Sequence, residues 1–415
     1  MRRPARLLLL LCAFAIPWEY SLDFGAPLGN VARIAGLLTL IATVAAVLLA
    51  GGFRTLSRLH WLVMGLFLWC SASLFWSSDA AVTLNKLPDY LQEMMIAWLV
   101  WELAESLDDL RALLRAWVAG SWMLAGLTLA SLASVDAVVS GQSRFVAAGQ
   151  NANDVARFLD LGFPLAGILL VLGERRIDRW LGLGYFPMGL AAVVITGSRG
   201  GAIAGLVALA GCTLLLFRMR RQFVFWGALC IPLLAVALWM FVPHETFNRI
   251  ATILGQLQGG DLNQRTKIWF WGWDAFIERP CVGSGAGTFV IAAGVAPVDT
   301  AHNTALSIVV EEGLIGLGLA SAILAECFWL IRQTKDALRI GFTTMLLVWC
   351  IASMVGTAAE SRITWLMIGV FSVAWRISRN AEALKSQYTT DAVRAAPSLE
   401  AFITPLIGAD LGRTG

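Results

Sequence analysis

Charge is scarce in this chain. Asp, Glu, Lys and Arg make up 14% of its 415 residues, while 58% are hydrophobic. An ordinary soluble domain carries about a quarter of its residues as charges, so lipid must solvate much of this surface. The mean hydropathy of +0.72 agrees. Histidine is scarcer still, at three residues. There are seven cysteines, and only Cys281 lies in an outer loop, so no disulfide framework can form and no metal-ligand spacing exists. Acidic pairs such as Glu311–Glu312 lack the further Asp and Glu that would hold a divalent cation. A site with neither metal nor cofactor is expected, with no nucleic-acid partner. No internal repeat is visible, and the charged half-span motifs of ion-coupled carriers are missing.

What remains is apolar sequence in long runs. Spans are expected at about 5–19, 31–50, 60–76, 84–104, 112–133, 154–173, 181–197, 200–217, 223–242, 303–331, 340–357 and 363–376. That is an all-α polytopic membrane protein of about twelve transmembrane helices with both termini on one side. The basic start and short apolar run of MRRPARLLLLLCAFAIPWEY are signal-like. Pro17 and Trp18 stand where a small-residue cleavage pair would be, so the first span is expected to be retained. The eighteen Trp residues suit the headgroup region, where an indole has one wet edge and an apolar face. With the N-terminus cytoplasmic, 21 of the 31 Lys and Arg fall on that side, as the positive-inside rule requires. Four regions follow: residues 1–242 with spans one to nine, a large outer loop at 243–302, spans ten to twelve at 303–376, and a flexible cytoplasmic tail at 377–415.

The outer loop is where function is expected, because long connections in compact folds are functional or disordered. Asn263 to Arg279 mixes Ile268, Trp269, Trp271, Trp273, Phe276 and Ile277 with Arg265, Lys267 and Asp274, which suits an amphipathic interfacial helix. PCVGSGAGTF spaces Gly283, Gly285 and Gly287 like a dinucleotide fingerprint, but no βαβ unit surrounds it. It reads instead as a turn returning the Trp-rich helix to the spans. His302 stands at the start of the tenth span, which Asn303 or Thr300 could cap. A neutral imidazole there, with an ordinary pKa of about 6.5, could take a proton, or it could be a hydrogen-bonded structural group.

The ten basic residues off the cytoplasmic side have no topological role. They are Arg33, Lys86, Arg144, Arg157, Arg199, Arg249, Arg265, Lys267, Arg279 and Arg362. Each needs either a structural carboxylate or an anionic ligand. Arg199 sits in TGSRGG, where two spans meet in a tight turn; a glycine-rich helix start with an arginine suits a phosphate, and a snorkelling arginine in a helix–helix turn is the alternative. Upstream, Asn151 and Asn153 can cap the sixth span and, with Arg144, could face a sugar or phosphate.

These residues carry a resemblance. The order Arg144…Asn151-x-Asn153, Gly197-Ser198-Arg199-Gly200-Gly201, Arg265-x-x-x-Trp269, Pro280-x-x-Gly283-x-Gly285-x-Gly287-x-Phe289 and Ala301-His302-Asn303…Glu312-Gly313 resembles the O-antigen ligase and polymerase superfamily, over about residues 140 to 320. The resemblance is greatest to the bacterial O-antigen ligases. It implies an integral-membrane, GT-C-like glycosyltransferase in the bacterial inner membrane. Such an enzyme moves a glycan from undecaprenyl diphosphate to lipid A core at the periplasmic face, without metal. The family's essential arginines fall on Arg199 and Arg265, its histidine on His302. Arg144, Asn151, Asn153, Asn303 and Lys267 are left as candidate donor or acceptor contacts. Asn-Ala-Asn replaces the Asn-Pro-Asn of many relatives, which loosens that loop without moving a side chain of assigned role. Polymerases share these arginine-rich loops; a protein O-oligosaccharyltransferase or a polysaccharide transporter are more distant readings.

Overall fold

The computed structural model describes residues 2–395 except 26–27, 51, 134–143, 254, 256–264 and 297–299. Every described regular element is a helix. In chain order these are α1 (Arg3–Ala15), α2 (Val31–Ala50), α3 (Arg58–Ala72), α4 (Ala80–Leu103), α5 (Leu107–Ala130), α6 (Ala152–Leu172), α7 (Arg176–Ile195), α8 (Arg199–Met219) and α9 (Arg221–Phe241). Three short helices follow: α10 (His244–Ala251), α11 (Arg265–Glu278) and α12 (Phe289–Ala292). The chain then returns to long helices, α13 (Thr304–Arg332), α14 (Asp336–Ser353) and α15 (Arg362–Ala395).

All twelve apolar runs expected from sequence fall on helices. Among the described residues, however, eight helices are both long and apolar enough to cross a membrane: α2, α3, α5, α6, α8, α9, α13 and α14. The expected count of about twelve is not confirmed by length and composition alone. Helix α1 has 13 residues before its 3-10 continuation Ile16–Ser21, α4 carries Lys86, Asp89, Glu93 and Glu102, α7 opens on Arg176, Asp178 and Arg179, and α15 turns polar beyond Trp375. The expected tail is helical as far as Ala395, and 396–415 lie outside the described residues.

Burial follows composition. Helix α6 is apolar apart from Asn153, Asp154, Arg157 and Asp160 and is buried along nearly its whole length, packed among α5, α7, α8 and α14. Helix α9 is equally apolar but lies outside the bundle against α8, so its surface is left to lipid. One end of the bundle is stitched by ion pairs. Arg2 and Arg6 reach Glu102, Glu105 and Asp109, Arg54 reaches Glu105, and Arg115 Nε meets Asp178 at 2.5 Å.

Helix α13 is broken at Gly313 (φ 66°, ψ −167°), where its own ladder is interrupted. The turn that follows α11 fills the gap. Ser284 and Gly285 donate their N–H groups to Val310 and Glu311 carbonyls at 2.8 Å each, while Leu314 and Ile315 donate to Pro280 and Cys281 at 2.8 and 3.3 Å. Two indoles close it, Trp69 onto Glu312 O at 2.9 Å and Trp76 onto Val282 O at 3.1 Å. Irregular backbone at membrane depth is tolerated only where such partners exist. Gly283 and Gly285, both at positive φ, make the approach possible. The sequence reading of this turn as a return toward the spans therefore holds.

Gly313→Ala is expected to destabilise the fold strongly. Its backbone lies in a region used almost only by glycine, worth about 1–3 kcal/mol, and a Cβ would strike the Cys281 carbonyl. Melting in detergent should show the loss, with Gly318→Ala unaffected because open space surrounds that position.

Candidate arginine-lined site

At the end of the bundle opposite the stitched one, α6 starts, α7 ends and α8 starts within one small region. Ser198 caps α8 by accepting from Gly201 N at 3.1 Å, and its hydroxyl donates to Asn153 Oδ1 at 2.8 Å. Arg144 Nη2 donates to the same oxygen at 3.1 Å, and Arg144 Nε reaches Thr196 O at 3.4 Å. Asn151 is the cap of α6, accepting from Asn153 N at 2.9 Å, so of the two asparagines Asn153 is the one tied to the arginines.

Arg199 and Arg249 brace one another through backbone. Arg199 Nε donates to Arg249 O at 3.3 Å, and Arg249 Nε donates to Gly197 O at 3.1 Å. Neither bond uses the terminal nitrogen pair that grips a phosphate bidentately. Arg265, at the start of α11, belongs to the same field. Burial and then the charge of Arg199 lower its pKa, with Asp154 opposing. Arg249 is lowered by burial and then Arg199. Arg144 is pulled down to about 10 by burial and then by Arg249, Arg265 and Arg199.

Partnering now divides the unplaced basic residues. Lys86 pairs with Glu360, Arg362 with Glu19 at 2.7 Å, and Arg157 with Asp154 at 3.1 Å. Arg279 donates to the Trp76 carbonyl at 2.8 Å. Among the described residues no carboxylate forms an ion pair with Arg144, Arg199, Arg249 or Arg265. Like charges within roughly 10 Å of one another cost on the order of 1–2 kcal/mol per pair at an effective dielectric of ~20. An anion entering between them would remove that cost.

His302 is half-buried and stands at φ 47°, the only non-glycine residue at positive φ among the described residues. Its Nδ1 lies 3.2 Å from Thr300 Oγ1. The residues around it are fixed from two sides. Trp269 Nε1 donates to Ala301 O at 3.0 Å, tying α11 to the preceding residue, and Asn303 caps α13 by accepting from Leu306 N at 3.1 Å. Thr304 Oγ1 then donates to Gly356 O at 2.8 Å. Gly356 lines a narrow cleft with Asn153, Arg157, Ser198, Gly200 and Gly201, so the Thr304 bond reaches a residue of the cleft that the start of α8 borders.

Two expectations change. The helix expected from Asn263 begins at Arg265 among the described residues, with 263–264 outside them, and it does not present a single apolar face: Ile268, Gly272 and Ala275 are buried while Phe270, Trp271, Trp273 and Ile277 are exposed. Lys267 is exposed on its outer side. Arg249 was noted in the sequence only as one of ten misplaced cations. Its position in a strongly two-faced short helix, HETFNRIA, is the signal that could have selected it.

Fold and site define an all-helical, multi-pass membrane protein with an arginine cluster and a strained histidine at one polar end. Residues 184–321 match the family described as O-antigen ligase, which supports the resemblance to the O-antigen ligase and polymerase superfamily. The matched region includes Arg199, Arg249, Arg265 and His302. No curated protein matches the chain.

Proposed function

We propose that this chain is an O-antigen ligase of the bacterial inner membrane. It transfers a glycan from undecaprenyl diphosphate to a sugar hydroxyl of lipid A core, with residues 243–302 on the periplasmic side and the tail in the cytoplasm. The observation that carries this reading is the group of Arg144, Arg199, Arg249 and Arg265, which form no ion pair with a carboxylate among the described residues, with the last three and His302 inside the region that matches the family. The glycan's anomeric carbon is joined to a phosphate oxygen. As that bond breaks, the oxygen leaves with the electron pair, and Arg199 and Arg265 stabilise its charge through charge-assisted hydrogen bonds. Arg144 and Arg249 add to the same field.

On the other side of the reacting carbon, the acceptor hydroxyl gives its proton to His302 as its oxygen forms the new bond. The ring nitrogen without a proton is the one that takes it, and Nδ1 lies 3.2 Å from Thr300 Oγ1. One displacement without a covalent intermediate inverts the anomeric configuration. No cofactor is required by this route.

Cells lacking the gene should lose long O-chains from lipid A core while accumulating them on the carrier lipid, as read by gel. Purified protein given lipid A core as sole acceptor should restore transfer in vitro. Chains that lengthen on the carrier lipid, with none on lipid A core, would make the protein a polymerase instead.

A further inference from the structure

We propose that the groove between the outer halves of α2 and α4 binds an anionic diacyl phospholipid, its phosphate on Arg33 and one acyl chain running inward along both helices. Arg33 is among the ten basic residues off the cytoplasmic side, and neither a structural carboxylate nor the arginine cluster accounts for it. Among the described residues nothing accepts a hydrogen bond from its guanidinium. The inference needs only a membrane around the chain, so it stands or falls apart from glycosyl transfer.

Arg33 lies in the first turn of α2, at the same end of the bundle as the arginine site, since Ser21 just ahead of that helix accepts from Gln150 Nε2 at 3.1 Å. The 20 residues of α2 are about as long as the hydrocarbon core is thick, so this turn stands at head-group level, where an unpaired arginine meets lipid phosphate. Its stem is fixed rather than free, because it crosses Gly29 so closely that a Cβ there would lie 2.7 Å from Arg33 Cδ. Asn30 Oδ1 accepts from Arg33 N at 2.9 Å, so the helix start is capped by its own residue and the guanidinium is what remains for an anion.

Below the cation the groove turns apolar. Arg33, Leu37 and Leu40 line it from α2, and Gln92, Ile96 and Leu99 from α4. The spacing is four and then three on each helix, and both helices run inward, α4 ending where Glu102 pairs with Arg2. One polar pair therefore tops two apolar pairs. The slot is narrow enough for a methylene chain and too narrow for a sugar ring. Gln92 makes no hydrogen bond within the chain, and its Oε1 is buried without a partner. A side-chain amide can turn over in place, so its NH₂ can serve an ester carbonyl. Phosphate, ester and hydrocarbon, in that order, are the parts of a diacyl phospholipid. A polyprenyl diphosphate has no ester and brings two phosphates to one guanidinium. Arg362 also lines the groove but is neutralised by Glu19 at 2.7 Å, which leaves the charge of Arg33 alone. A phosphodiester of single net charge, as in phosphatidylglycerol, balances it, whereas a zwitterion brings a second cation beside it.

The test is native mass spectrometry of the purified full-length protein titrated with phosphatidylglycerol, phosphatidylethanolamine or lipid A, together with the rise in melting temperature that each lipid gives. Wild type should hold one phosphatidylglycerol in preference to phosphatidylethanolamine, and excess inorganic phosphate should not displace it. Arg33→Ala should weaken phosphatidylglycerol about tenfold, the scale of one charge-assisted bond, and bring the two phospholipids level. It should melt like wild type in lipid-free detergent, because Arg33 has no partner in the chain to lose. Leu37→Trp fills the groove from a residue that is 40% exposed and leaves the charge alone, so it should weaken both phospholipids. The proposal is overturned if phosphatidylglycerol binds both variants as it binds wild type, if inorganic phosphate displaces it, or if lipid A is the lipid that Arg33→Ala loses. An Arg33→Ala protein that melts early without lipid, beside a Leu37→Trp protein that binds normally, would overturn it too, by making Arg33 a structural residue.

Discussion

His302→Ala is expected to lower glycan transfer per folded molecule by about two to four powers of ten, the usual contribution of one positioned acid–base group. Folding and donor-lipid binding should stay close to wild type, because the turn is held by neighbours. Trp269 binds the carbonyl of Ala301 and Asn303 caps α13, and neither bond uses the imidazole. His302→Gln is the sharper probe, since it retains a polar side chain of similar reach but cannot hold a proton near neutral pH. A purely structural histidine gives the reverse pattern: glutamine is tolerated, and alanine lowers the amount of folded protein through a lost hydrogen bond worth about 1–3 kcal/mol. With a catalytic imidazole the wild-type rate also falls toward acid pH, as the ring takes up a proton and can no longer serve as base. Near-normal transfer by the glutamine variant would remove His302 from the mechanism.

Arg199→Ala and Arg265→Ala should each cost about 10²–10³ in turnover, the scale for removing one preorganised donor from a developing negative charge. Arg→Lys at either position should also lose much of the activity, because a point-like ammonium cannot reproduce the guanidinium fork. Arg249→Ala should cost less, since Arg249 acts in part by holding Gly197 and Arg199 in place. Inorganic pyrophosphate gives a reading that needs no turnover. It should raise the melting temperature of wild type by mass action, and less so for each arginine variant. Full transfer by both alanine variants at wild-type protein levels would end the role proposed for this cluster.

Much of the fold could be read from hydropathy, because lipid imposes one rule on every span and the twelve apolar runs all became helices. Which of them cross is harder to read. Helices α4 and α7 carry charges whose partners, such as Glu360 for Lys86 and Arg115 for Asp178, come from distant parts of the chain. The same holds for the cations. Arg362 and Lys86 resembled Arg199 and Arg265 in sequence, and only three-dimensional pairing separates the neutralised ones from the rest. Asn303 as a cap and the 280–289 turn were visible because capping and glycine chemistry are local. The gathering of Glu93 and Glu312 around one cavity was not, since they lie far apart in sequence and each alone is an ordinary carboxylate on an apolar helix.

The break in α13 has a bearing on how pieces of this protein could be exchanged with those of a relative. The loop and the membrane helix share one backbone ladder at Gly313, four bonds long, with donors from both partners. A chimera that replaced residues 243–303 and kept the host's tenth span would pair two backbones never matched to each other, stranding amides and carbonyls at membrane depth. The natural unit of transplantation therefore runs through the break to Ile315, and carries Glu311 and Glu312 with it. Any shuffling of such a loop would have moved the first turns of α13 together with it.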